Sequence, residues 1–98
     1  MSPTADAPET YFILFYDVVD GYAEKRARYR KEHLSLATEW RERGHLMMAG
    51  ALADPIDGAV LVFRTPERSL VETFARSDPY VSNGLVTEWR IRQWTVVV

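Results

Sequence analysis

The sequence predicts a ferredoxin-like α+β fold, with elements in the order βαββαβ around an antiparallel sheet. Three observations carry this. An aromatic, branched segment near the start precedes a long stretch free of proline and glycine. Two more strand-like segments flank a turn-rich pentapeptide. A second, shorter helical segment then leads into a final alternating strand. That order is the split βαβ pattern.

Residues 1–10 hold Pro3, Asp6, Pro8 and Glu9 and no apolar run. They are expected to form a flexible tail, not a signal peptide. Residues 11–98 are then expected to form a single domain. Tyr11-Phe12-Ile13-Leu14-Phe15-Tyr16 reads as the first strand, and both of its alternating faces are apolar. A strand with one solvated face would show a polar side, so this one is expected to be covered twice. Helices would cover one face and a second subunit the other.

Asp20-Gly21 is a turn signal, and residues 22–43 are rich in Ala, Glu, Lys and Arg, as a helix requires. Gly44 supplies a C-terminal stop. Residues 45–53 and 59–64 read as strands, joined through Asp54-Pro55-Ile56-Asp57-Gly58. Thr65-Pro66-Glu67 has the chemistry of a helix start, with Thr65 as N-cap. Leu70, Val71, Phe74 and Ala75 give that helix an apolar face. Asp78-Pro79 breaks it, because a residue before proline avoids the helical region. A last strand is expected over 86–98.

The chain has 98 residues, 47% hydrophobic and 12% aromatic, which suits a packed core rather than disorder. A chain this short gains from burying surface against a partner. The net charge is −2, from 12 basic and 14 acidic residues, and lacks the positive field of a nucleic-acid binder. Lys25, Arg26, Arg28, Arg30 and Lys31 spread around a helix rather than along one face. No segment has the roughly 20 apolar residues of a membrane span. Cysteine is absent, which excludes disulfides and thiol nucleophiles and fits a reducing, cytoplasmic setting.

At about 100° per residue, Ala23, Ala27, Tyr29, Leu34, Leu36, Ala37 and Trp40 share an apolar arc on the first helix. Arg30 and His33 fall inside it, three residues apart and therefore neighbours. Polar groups aimed at a core need partners. A satisfied structural histidine is one reading of His33. The other is an acid or base, since imidazole titrates near neutral pH. Asp78 likewise reads as an N-cap, as a carboxylate that orients His33, or as both. Tyr80 either packs or offers its hydroxyl to a pocket. His45, at the helix-to-strand turn, reads as an ordinary surface residue. Met47 and Met48 read as core filler. Glu88, Arg90 and Arg92 alternate with Trp89 and Ile91 and mark a charged face, at solvent or a subunit rim. No phosphate-binding glycine loop, nucleophile elbow or two-histidine metal motif is present.

Several segments together resemble the YCII-related (YciI-like) family. They are Arg30-Lys31-Glu32-His33-Leu34, the run from Gly44 to Leu52, Asp57-Gly58-Ala59, Asp78-Pro79-Tyr80 with Gly84, and Trp94. Gly50-Ala51 departs from the Gly-Pro of some relatives, at one expected pocket wall. The resemblance implies a dimeric α/β barrel arrangement of ferredoxin-like subunits. It also implies a His–Asp pair in a pocket, which falls on His33 and Asp78, with Arg30 and Tyr80 at neighbouring positions. The family includes a dehydrochlorinase-type activity, and its membership alone names no substrate. The leading expectation is a small-molecule lyase or isomerase. His33 would move a proton, Asp78 would orient it, and Arg30 and Tyr80 would bind substrate. Proton transfer needs no redox cofactor, and no metal is expected. A non-catalytic ligand-binding or accessory dimer is the alternative. A purely structural dimer is disfavoured by a charged and a titratable residue in an apolar arc.

Overall fold

The computed structural model describes residues 10–98. The expected tail lies outside these residues, apart from Thr10. The four strands are β1 (Tyr11–Val18), β2 (Leu46–Ala51), β3 (Gly58–Arg64) and β4 (Val86–Trp94). The helices are α1 (Tyr22–Lys25), α2 (Arg30–Glu42), α3 (Arg68–Ser77) and α4 (Pro79–Ser82), with a 3₁₀ turn over Arg26–Arg28. The strands form one open sheet in the order β2-β3-β1-β4, and every pair is antiparallel. This is the expected ferredoxin-like α+β architecture.

Alternation sorts the sheet into two faces. Phe12, Leu14 and Tyr16 on β1 and Ala59, Leu61 and Phe63 on β3 are buried and meet the helices. Trp40 from α2 and Val71, Phe74 and Ala75 from α3 complete that core. On the opposite face Ile13 pairs with Val62 and Arg92, and Phe15 pairs with Val60 and Arg90. The Arg90 guanidinium lies 4.6 Å from the Phe15 ring centroid. The face is therefore apolar at its centre and charged along β4, as the alternation of Glu88, Arg90 and Arg92 requires.

The first helical segment is not continuous. Tyr29 leaves the helical region, at φ −112° and ψ 1°, so α1 and α2 are separate pieces joined by the 3₁₀ turn. Gly44 follows α2 at φ +84°, a conformation costly for any residue with a Cβ. Thr65 is not the cap of α3. That helix begins three residues later, with Glu67 extended at the N-cap position, and the Thr65 hydroxyl meets only the Glu67 N–H, at 3.5 Å. Local chemistry marked a turn there, and the buried Thr65 is held by its backbone bond to Thr10 instead. β4 ends at Trp94, so Val96, Val97 and Val98 are exposed and outside the sheet.

Met47 and Met48 are exposed, not core filler. The β2–β3 register shifts between Leu46 and Met48, which leaves Met47 as the extra residue of a bulge. Among the described residues no helix is long and apolar enough to cross a membrane.

Candidate functional site

Asp78 joins α3 to α4, and Pro79 keeps it extended, at φ −73° and ψ 121°. Its Oδ1 accepts the Tyr80 backbone N–H at 3.0 Å, so Asp78 is the N-cap of α4. It is also 0% exposed, which is rare for a carboxylate without partners. Two side chains supply them. The Tyr16 phenol donates to Oδ2 at 2.7 Å. His33 Nδ1 lies 2.9 Å from Oδ1 and 3.0 Å from Oδ2. Asp78 thus caps a helix and orients a histidine at the same time.

His33 sits in the first turn of α2, with its side chain 13% exposed. Its ring stacks on the Tyr80 ring, 3.9 Å between centroids and 11° between planes. Tyr22 meets the far side of that stack edge-on, at 5.7 Å from Tyr80. Stacking fixes the imidazole plane and Asp78 fixes its rotation. A carboxylate already holding two donors accepts, so Nδ1 carries the proton and Nε2 is left as the acceptor.

The tyrosines around this pair stay neutral. Burial pushes the Tyr16 phenol far up, and the Asp78 charge adds to the shift. Burial also raises Tyr22 and Tyr80, the latter against a downward pull from the Arg30 and Arg26 guanidiniums. Tyr80 is 1% exposed, and among the described residues its hydroxyl makes no hydrogen bond of normal geometry.

A cavity of about 530 Å³ opens beside this cluster, within the range of small-ligand sites. It lies between α2 and β2. His33, Tyr80 and Arg30 line it, with Leu34 and Ala37 from α2 on the same side. The sheet side is β2 from Leu46 to Ala51 with Ala59 and Leu61 of β3. Asp78 stands behind His33. The structure therefore brings His33 and Asp78 into contact, stacks Tyr80 on His33, and sets Arg30 on the cavity wall. His45 lies elsewhere, half-buried with its ring 5.8 Å from Trp40. Among the described residues no three histidine, cysteine or carboxylate side chains cluster as a metal site would need.

Tyr16 was not singled out in the sequence, where both faces of β1 look alike; the structure puts it with Phe12 and Leu14 on the helix-facing side. Arg26 and Arg41 also line the cavity. In the sequence Arg26 looked like part of a solvated charge run, and Arg41 was not singled out.

A family model described as the YCII-related domain matches residues 10–95. Among curated proteins none matches the sequence. Two solved structures are similar in fold. One is the 5-chloro-2-hydroxyhydroquinone dehydrochlorinase (TftG) of Burkholderia phenoliruptrix, in complex with 2,5-dihydroxybenzoquinone. It has a TM-score of 0.74 and 16% identity, over 87% of this chain and 93% of the other. The second is PA3566 from Pseudomonas aeruginosa, with a TM-score of 0.63 and 12% identity, over 94% and 97% of the two chains.

Proposed function

The chain belongs to the YCII-related domain family, and we propose that it is a small-molecule enzyme in which His33 moves a proton and Asp78 holds it in place. One observation carries this reading: His33 is pinned through Nδ1 to a fully buried carboxylate while its other nitrogen is left free beside a cavity. Orienting a base through its second nitrogen is how histidine becomes useful in proton transfer. Tyr16 is a positioning residue, since it acts through Asp78. Arg30 stabilises negative charge that develops on the substrate, and the unpartnered Tyr80 hydroxyl is a donor for it.

The fold neighbour with dehydrochlorinase activity supports an elimination. There, loss of hydrogen and chlorine as a proton and chloride needs a base and no oxidant. In the keto tautomer of the ring the carbon bearing chlorine is saturated. From it the base takes the proton of a ring hydroxyl, and the electron pair left behind passes through the ring to expel chloride and leave a quinone. His33 Nε2 would be that base here, on a hydroxylated ring. In this proposal the enzyme is a cytoplasmic homodimer, with a second copy covering the apolar centre of the outer sheet face around Ile13, Phe15, Val60 and Val62. The domain then spans residues 11–98, after the short tail.

A panel of hydroxylated and chlorinated hydroquinones in deuterated water tests the reading. NMR follows deuterium exchange, and chloride release is followed in parallel. His33→Gln is expected to lower turnover by about a hundredfold or more. A variant as active as the wild type would remove His33 from the mechanism. Binding without any turnover by the wild type would favour a ligand-binding module.

A further inference from the structure

The cavity is uneven in charge. Among the described residues, Arg26, Arg30 and Arg41 line it, and no aspartate or glutamate does. None of the three is in an ion pair among the described residues. The same helix offers carboxylates, yet Glu39 is tied to Arg43 at 3.0 Å, and Arg41 is left without one. Guanidiniums without a carboxylate partner around one cavity favour the entry of an anion.

These arginines form two groups. Arg30 precedes His33 by about one turn of α2, and Arg26 stands beside Tyr22, whose ring meets that of Tyr80 at 5.7 Å, so both are at the His33 end. The Arg26 guanidinium lies 5.6 Å from the centroid of the Tyr22 ring. Arg41 follows Arg30 by eleven residues on α2, about 16 Å along the helix axis. Between the two groups the sheet side is lined by β2 from Leu46 to Ala51 and by Ala59 and Leu61 of β3, none of them charged. Leu34 and Ala37 face it from α2. The buried, unpartnered Tyr80 hydroxyl adds a donor at the His33 end.

We propose that the cavity takes an elongated ligand with an apolar middle and negative charge at both ends, one end held by Arg26 and Arg30 beside His33 and the other by Arg41. This rests on reading the cavity as the proton-transfer site, and it names the substrate class of that site. The uncharged walls take the apolar middle of the ligand. Guanidinium forks take the charged oxygens, which they match in geometry. A ligand with one charge leaves Arg41 unused.

Terephthalate and benzoate differ only in the second carboxylate. Biphenyl dicarboxylate and its monocarboxylate repeat the comparison over a longer span. Neither pair carries a leaving group or an acidic carbon, so binding is read apart from turnover. Titration calorimetry at low ionic strength is expected to show at least one dianion binding about tenfold more tightly than its monoanion. Arg41→Gln, at an exposed position, is expected to abolish that preference and leave the monoanion unchanged. Arg30→Gln is expected to weaken both. The proposal is overturned if no probe binds, if neither dianion is preferred, or if the preference survives Arg41→Gln. A wild type that shows the preference yet turns over no hydroquinone overturns the catalytic reading and keeps this one. Turnover without the preference does the reverse.

Discussion

Helix α2 has two ends that are held by different physics. At its C-terminal end Trp40 packs edge-on against Phe63 and Phe74, at 6.2 and 5.4 Å, and these two meet at 5.1 Å. At its N-terminal end His33 meets a buried carboxylate that also holds a phenol and a backbone N–H. The aromatic end is stabilised by area removed from water and by ring contacts, both non-polar and tolerant of small shifts. The polar end has no such tolerance. Each donor around Asp78 matters because an unmet buried polar group costs more than a met one gains. The same helix therefore carries stability at one end and a chemically useful arrangement at the other.

The comparison breaks most visibly at the aromatic end. Trp40→Ala is expected to cost about 3–5 kcal/mol, the range for removing a large buried ring. Urea unfolding measures it. If the ends are separate in function, a variant still folded in mild conditions keeps His33 in contact with Asp78, and the ring signals of His33 in NMR stay in place.

At the polar end the effect is smaller and more specific. Asp78→Ala removes a cap and leaves the Tyr16 hydroxyl and the Tyr80 N–H unpaired, for about 2–4 kcal/mol. Asp78→Asn keeps the cap and an acceptor, and is expected to cost about 1 kcal/mol by the same denaturation. Equal losses for the two variants would mean that only the charge matters and that the cap contributes nothing.

The two ends also differed in how legible they were in the sequence. The aromatic end followed from periodicity. Trp40 on the helical arc, Phe74 on the second helix and Phe63 in a strand each sat where alternation or the helical period put them. The order of elements followed in the same way, which is why the ferredoxin-like sheet was readable. The His33–Asp78 contact spans 45 residues, and no local pattern brings such residues together; the family resemblance pointed to it. Tyr16 was hidden for a related reason. An aromatic residue in a strand looks like core, and only the fold shows which polar group its hydroxyl meets. Arg26 misled differently, because a charge run on a helix looks solvated until a cavity is found beside it. Thr65 had every local mark of a cap, yet the chain needed three more residues to turn from β3 into α3.

Alkaline pH sharpens the comparison further. Tyr16, Tyr22 and Tyr80 hold their protons above the ordinary value of 10.0 in the folded chain. Groups raised on folding lend stability that is fully present below pH 10 and is lost as pH rises beyond it, because the unfolded chain ionises them first. The urea midpoint is therefore expected to fall between about pH 9 and pH 11. Tyr16→Phe is expected to reduce that fall by removing the most strongly raised phenol. An unchanged fall in the variant would mean that burial and the Asp78 charge do not hold the Tyr16 proton in the folded chain.

Nitrogen-detected NMR of the neutral His33 ring tests the central claim most directly. Free neutral histidine carries its proton mainly on Nε2. A ring pinned through Nδ1 to the Asp78 carboxylate must carry it on Nδ1, leaving Nε2 as the base toward the cavity. The account predicts a protonated Nδ1 and a bare Nε2 in the wild type, and loss of that fixed tautomer in Asp78→Ala. A wild-type ring protonated on Nε2, or mixed as in the free amino acid, would contradict it.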